Sequence, residues 1–292
     1  MKLSVVIITL NEEANIARTL KSVAPLLADG NGEIIVVDSG STDRTSEIAR
    51  EFGAKVYVEE WKGFAAQKNS AIDKASGDWI LSLDADEEVS DELVEDVAAV
   101  LSLGPPTEWC LTKYNSSFPV RRTNWSSLSP TGFYIPRRNL FLGRWIKHGG
   151  FYPDSKLRLF QRAAGRFEER VVHETAKVNG ATATLTGDLI HHAYPTLSGY
   201  IEHMNHYSSL GAELAVKQNQ TSRSILAFFW NVLLRPRVTF FYNYVLRLGF
   251  LDGREGLLLH LYHSAYVSWK YAKAWEASRN GFTTETRRRG EK

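Results

Sequence analysis

An unbroken apolar run, Leu3-Ser4-Val5-Val6-Ile7-Ile8-Thr9-Leu10, opens the chain, and further strand-like runs recur at Glu33 to Asp38, Lys55 to Glu59 and Trp79 to Asp84. Between them the spacing turns helical. Ile16, Leu20, Val23 and Leu27 repeat at three- and four-residue intervals, Thr45 to Phe52 makes a second short helix, and Gly63 to Ala75 a third. A fourth opens at Ser90, where Ser90-Asp91-Glu92-Leu93 offers a capping hydroxyl followed by an acidic first turn. Strands and helices alternating through short connections call for an α/β fold with a parallel sheet covered on both faces.

After Gly104-Pro105-Pro106 the pattern changes. Residues 107 to 195 carry short strands (Trp109 to Tyr114, Leu157 to Gln161, Ala181 to Thr184, Leu189 to Ala193) among many Arg, Trp and Gly residues, as in a mixed sheet extension with long functional loops. From Leu197 onward the chain is helical: a polar helix over 197 to 218, then Ile225 to Leu234, Val238 to Leu251 and Leu257 to Trp275, rich in Phe, Trp, Tyr and Leu. Basic residues or histidine break or bound each apolar stretch short of the ~18 residues a membrane-spanning helix needs. These helices are expected to lie in a membrane interface, with arginines such as Arg235, Arg237, Arg247 and Arg254 toward lipid phosphates; a buried helical subdomain or an oligomer interface is the alternative. The end, Thr283 to Lys292, reads as a basic tail. Three divisions follow: a ligand-binding half over 1–106, an acceptor half with a lid loop over 107–196, and a helical membrane-associating extension over 197–292.

Charge narrows the partners. Lys and Arg total 35 against 33 Asp and Glu, and a net of +2 argues against a nucleic-acid binder that works by bulk charge. A single cysteine, Cys110, excludes an internal disulfide and fits a reducing, cytoplasmic compartment. Asn11-Glu12-Glu13 follows the first apolar run where a secretory signal would carry a small-residue cleavage site, so the run is expected to be a buried strand.

The candidate chemistry lies at strand ends. Trp79 to Asp84 runs into Ala85-Asp86, and two carboxylates one residue apart at the end of a strand can hold a hard divalent cation, Mg²⁺ or Mn²⁺, whose shell substrate phosphates complete. Alone, such an acidic pair is more often a solvated loop or the start of a helix cap. Asp38, before the Gly40-Ser41-Thr42 turn, can accept from a base imide, and Lys68 can meet phosphate or base oxygens. The first strand lacks Gly-x-Gly-x-x-Gly, which sets a dehydrogenase aside, and the acidic residues after it do not suit a triphosphate loop.

Taken in order and spacing, Val5-Val6-Ile7-Ile8-Thr9-Leu10-Asn11-Glu12-Glu13, Ile35-Val36-Val37-Asp38-Ser39-Gly40-Ser41-Thr42-Asp43, Gln67-Lys68-Asn69 and Leu83-Asp84-Ala85-Asp86-Glu87 resemble the family 2 glycosyltransferases of GT-A fold. A branch similar to lipopolysaccharide-core β-glucosyltransferases is indicated by the text from Tyr152 to Phe160, from Gly165 to Glu174 and from Gly249 to Gly256. The resemblance implies inverting, metal-dependent hexosyl transfer from a UDP-sugar to a lipid-linked or lipopolysaccharide-core acceptor, at the cytoplasmic face of the inner membrane. It implies that Thr9 and Glu13 lie by the nucleotide, that Asp38 binds uracil, that Lys68 contacts nucleotide, that Asp84 lies near ribose and phosphate, and that Asp86 ligates the metal. A polyprenyl-phosphate acceptor, or a non-catalytic nucleotide-sugar-binding protein, is the alternative.

Inverting transfer needs a carboxylate to take the acceptor's proton. The family's usual Glu-Asp pair for that step is missing here, which leaves Glu174 and Glu169 as the candidate bases. His173 is a further candidate ligand of metal or diphosphate, Arg158 and Arg170 can neutralise diphosphate or an anionic acceptor, and His191 and His192 read as packing or hydrogen-bonding residues. Within a lid expected over 118–150, Trp125, Arg144 and Trp145 can stack on or bond sugars.

Overall fold

The computed structural model describes residues 1–30, 32–103, 130–168 and 175–279. Within them two compact units form, the first drawn from Met1–Arg138 and Pro153–His191, the second from Asn139–Tyr152 and His192–Lys292.

The first unit is built on the opening apolar runs. β1 (Leu3–Thr9), β2 (Gly32–Asp38), β3 (Lys55–Val58) and β4 (Trp79–Asp84) pair in parallel, with β1 between β2 and β4. Side chains alternate across this sheet as the pleat demands. Leu3, Val5 and Ile7 of β1, with Trp79, Leu81 and Leu83 of β4, enter one core, whereas Val6, Ile8 and Ile80 enter the other. Both faces are covered, which is why these strands read as continuous apolar runs. Helix α1 (Ile16–Val23) buries Ile16, Thr19, Leu20 and Val23, and its periodicity continues through a 3₁₀ turn, Ala24–Leu27, with Pro25 in its first turn. Helices α2 (Thr45–Glu51), α3 (Phe64–Lys74) and α4 (Asp91–Leu103) follow within a residue or two of the expected limits, and the Ser90 hydroxyl caps the last by accepting from Leu93 N at 3.2 Å.

The short strand β5 (Glu87–Val89) comes directly after β4; β6 (Gly132–Ile135) and β7 (Arg137–Phe141) come later, β7 leading out of the first unit to β8 (Arg144–Trp145). The chain returns through β9 (Lys156–Gln161), the hairpin of β10 (Gly165–Glu168) and β11 (Thr175–Val178), β12 (Thr182–Thr184) and β13 (Leu189–Tyr194). The described part of the main sheet has the order β12-β6-β9-β4-β1-β2-β3, with β9 antiparallel to both β4 and β6. This is the expected α/β class, mostly parallel with an antiparallel insertion.

Two expectations are revised. The stretch 118–150 is not loop throughout, because from Gly132 onward it forms β6, β7 and β8; residues 118–129 lie outside the described residues, as do Cys110, Trp125, the strand expected at 109–114 and the tail from 283. In the second unit, α5 (Leu197–Lys217) is the expected polar helix, but the apolar helices divide elsewhere. Ile225 to Leu246 winds without interruption as α6 (Ile225–Phe228), a π segment Phe229–Leu234, α7 (Arg235–Phe241) and a second π segment Tyr242–Leu246. Leu248, at φ +60°, turns the chain into a 3₁₀ turn, Gly249–Asp252, and α8 (Gly253–Arg279) begins four residues before Leu257. Asp252 accepts from the backbone of Lys147 (3.2 Å) and His148 (2.8 Å), which fixes that corner.

Candidate active site

Parallel register sets the ends of β1, β2 and β4 side by side. Thr9 pairs with Asp38 and Ile8 with Asp84, so Thr9, Asp38 and Asp84 share the carboxyl edge of the sheet, where α/β proteins receive ligands. The turns that leave this edge are tied together. Asp38 is buried, and its Oδ1 accepts from the backbone N–H of Gly40 (2.7 Å) and Ser41 (2.6 Å) while Oδ2 accepts from the Ser46 hydroxyl (3.0 Å). Gly40 stands at φ +91°, a conformation that favours glycine. Asn11, at φ +55°, accepts through Oδ1 from Thr42 N at 2.8 Å, and Glu13 Oε2 accepts from Arg44 N at 3.0 Å. Glu13 is thereby held across the turn that leads into α2. Among the described residues the buried hydroxyls of Thr9 and Ser39, both at this edge, have no hydrogen-bond partner.

The end of β4 is a junction of buried ions. Lys68, on α3 and only 2% exposed, places Nζ 2.8 Å from Asp84 Oδ1 and 5.2 Å from the centre of the Phe167 ring. Arg158 of β9 bonds the other oxygen of Asp84 and also donates to Glu87 Oε1 at 2.8 Å. Glu87, fully buried, accepts from Arg137 (3.1 Å) and, through Oε2, from the backbone N–H of Asp84 (3.0 Å). Arg137 continues to Asp154 at 2.6 Å, and Lys156 closes on Asp154 at 2.9 Å. Four cations therefore stand against the three carboxylates of Asp84, Glu87 and Asp154. Burial alone would raise the Asp84 carboxyl, but Arg158, Lys68 and Arg137 hold it well below the usual range.

Asp86 faces a different environment. Its Oδ2 lies 3.3 Å from His191 Nε2 on β13. Burial opposes its ionisation, yet the hydrogen bond and charge of His191 keep the carboxyl lowered despite Asp84 nearby. Glu12 senses the same acidic field: burial raises its carboxyl, Asn15 pulls it down, and Asp86, Asp43 and Asp84 push it up again. A negative field beside an anionic oxygen donor suits a hard cation. Among the described residues no three acidic, histidine or cysteine side chains converge tightly enough to enclose a metal by themselves.

Thr9, Asp38, Lys68, Asp84, Asp86 and Arg158 thus gather at one edge, with Glu13 in the adjoining turn. Glu169, His173 and Glu174 lie outside the described residues. Glu87, Arg137, Asp154 and His191 complete the constellation without having been singled out for it; for Asp154 the signal was its place in the Tyr152 to Phe160 text, and His191 is the hydrogen-bonding residue expected. Arg144 and Trp145 belong to the second unit, Arg144 3.7 Å from Glu255 and the Trp145 ring 4.3 Å from Lys147 Nζ.

Several known proteins resemble this chain in sequence or in fold. An uncharacterized glycosyltransferase of Rickettsia typhi is 46% identical over 101 residues, 35% of this chain and 33% of that protein, so the matched part spans about a third of that relative. The lipopolysaccharide core biosynthesis glycosyltransferase LpsC of Rhizobium meliloti is 28% identical over 260 residues, 87% of this chain and 82% of its own. Among solved structures, the mannosyltransferase PcManGT of Pyrobaculum calidifontis, in complex with GDP-Man and Mn²⁺, covers 94% of this chain and 87% of its own at 17% identity with a TM-score of 0.51, a likeness of GT-A fold. The family model described as glycosyl transferase family 2 matches residues 4–164, which span β1 through β9 and every gathered site residue except His191, and the chain belongs to that family.

Proposed function

We propose that the protein is an inverting glycosyltransferase that moves a hexose from a UDP-sugar to a membrane-held saccharide acceptor of the cell envelope, a lipopolysaccharide core or similar glycan. Family membership supports transfer, the role of LpsC in lipopolysaccharide core biosynthesis supports a core-type acceptor, and the GDP-Man and Mn²⁺ of PcManGT support a nucleotide-sugar with a divalent ion. The observation that carries the reading is the end of β4, where Asp84 is locked by Lys68 and Arg158 while Asp86 stands apart from those cations against His191.

Each residue then has a task. Asp38 orders the turn in which a uracil imide would be received, with Thr9 and Glu13 beside the nucleotide. Lys68 and Arg158 hold Asp84 ionised and oriented toward ribose and phosphate. Asp86 would ligate Mg²⁺ or Mn²⁺, with Asp84 and His173 as neighbouring donors, and the bound ion would stabilise charge on the departing diphosphate. Glu174, or Glu169, would take the proton from the acceptor hydroxyl as its oxygen attacks the anomeric carbon from the face opposite the leaving group. Residues 1–106 serve the donor, 107–196 the acceptor, and 197–292 the membrane surface on the cytoplasmic side of the inner membrane. UDP-sugar hydrolysis by the purified chain, with and without Mn²⁺ or Mg²⁺ and with Asp86→Ala, tests this reading.

A further inference from the structure

Exposure along Ile225 to Leu246 repeats every four residues. Positions 225–226, 229–230, 233–234, 237–238, 241–242 and 245–246 are exposed, and the pairs between them are partly or fully buried except for exposed Arg235. Eleven of the twelve exposed positions carry large apolar or aromatic side chains and the twelfth is Arg237; Leu226 is 80% and Ile225 72% exposed, and the others lie between 38% and 61%.

A four-residue repeat does not fit an α-helix. At about 100° per residue the stripe would drift about 40° with each repeat and pass roughly halfway round the helix over five. The two π segments remove that drift, because their i→i+5 bonds place more residues in each turn. Arg235 N donates to Trp230 O, and Arg247 N donates to Tyr242 O at 2.9 Å. Pro236, which has no N–H to donate, follows the first of these segments. The buried pairs pack on α8, with the Ser268 hydroxyl donating to Val232 O at 2.8 Å and Arg235 lying 4.8 Å from the centre of the Tyr271 ring. Winding and sequence period together hold one straight apolar ridge outward, and it continues at Leu248, Phe250 and Leu251, each about half exposed.

Charge selects the occupant. From Leu214 to Leu251 the chain has no Asp or Glu, and it carries Lys217, Arg223, Arg235, Arg237 and Arg247. No described helix is long and apolar enough to cross a membrane, so the ridge is suited to lying along a surface. We propose that this ridge docks the protein on an anionic lipid bilayer, its aliphatic and aromatic side chains entering the headgroup boundary and its arginines meeting lipid phosphates. This deepens the membrane-held acceptor of the proposed function and rests on that reading for its purpose; lipid binding itself is measured without any transfer.

The full chain is co-sedimented with phosphatidylcholine vesicles with and without phosphatidylglycerol, and vesicle-free samples are run by sedimentation velocity. Wild type is expected to partition at least about tenfold better onto the phosphatidylglycerol vesicles, and Leu226→Glu with Trp230→Glu to lower that partition at least about tenfold with an unchanged melting midpoint. Arg237→Glu, which leaves the apolar ridge intact, should weaken partition several-fold on anionic vesicles and little on phosphatidylcholine. Tryptophan emission should be quenched by brominated lipid, less so in Trp230→Phe. Equal partition of wild type and the double variant overturns the proposal, as does a vesicle-indifferent dimer that the double variant turns into monomer, which would assign the ridge to a second copy. UDP-sugar hydrolysis retained without vesicle binding refutes the docking surface and leaves the transferase standing; vesicle binding without hydrolysis does the reverse.

Discussion

Replacing Glu87 by glutamine removes one charge from a fully buried junction and leaves its shape. Glu87 Oε1 accepts from Arg158 at 2.8 Å and Arg137 at 3.1 Å, and Oε2 accepts from Asp84 N at 3.0 Å. A glutamine can keep one oxygen toward the guanidinium groups, but its NH₂ must then face the Asp84 N–H, donor against donor. Arg158 and Arg137 retain Asp84 and Asp154, so the loss falls at the low end for breaking a buried pair, about 3 kcal/mol. For a unit of this size that lowers the melting midpoint by about 6–12 °C. Calorimetry and urea titration near pH 7 measure it. Glu88→Gln is the control, because its side chain is 32% exposed and 3.9 Å from Arg18, and it should cost at most about 1 kcal/mol. A midpoint within about 2 °C of wild type for Glu87→Gln, or equal losses in the two variants, would refute the junction as a structural element.

Glu33 accepts from Ser4, from the N–H and hydroxyl of Ser76 and from Lys55; burial opposes these bonds, but they draw its carboxyl down to about 2. Because the folded value is depressed, its contribution is complete above the unfolded value near 4.5 and is lost as pH falls toward 2. Glu33→Gln should therefore cost about 1–3 kcal/mol at pH 7, Lys55 being exposed, and almost nothing near pH 2, as urea titrations across that range will show; a pH-independent difference would sink the assignment. A Cβ on Gly187 would stand 2.3 Å from both Cα and N of Leu93, backbone atoms of α4 that cannot swing aside, so Gly187→Ala should cost about 1–3 kcal/mol or more, and an unchanged urea midpoint would contradict that packing.

The runs at Leu3, Glu33 and Trp79 were legible as buried strands because both sheet faces are covered, and the strand-end motifs were legible because parallel register puts their ends together. Glu87 was not. It follows Asp86 in an acidic stretch that looks solvated, and its arginines lie 50 and 71 residues further on, brought in by β7 and β9. His191 reaches Asp86 only because β13 pairs with β5, a three-residue strand too short to announce itself. The helices beyond Ile225 were visible as apolar, but their four-residue period belongs to neither α-helix nor strand. It becomes intelligible once the π segments are seen.

Hydrolysis of UDP-sugars by the purified chain, with Mn²⁺ or Mg²⁺ and after chelation, reads the β4 junction directly. Slow release of UDP with the ion is expected, with loss on chelation and a fall of at least about a hundredfold for Asp86→Ala with its melting midpoint preserved. Turnover that is indifferent to Asp86→Ala, or the absence of both hydrolysis and ion-dependent UDP binding with every donor tried, would contradict this reading.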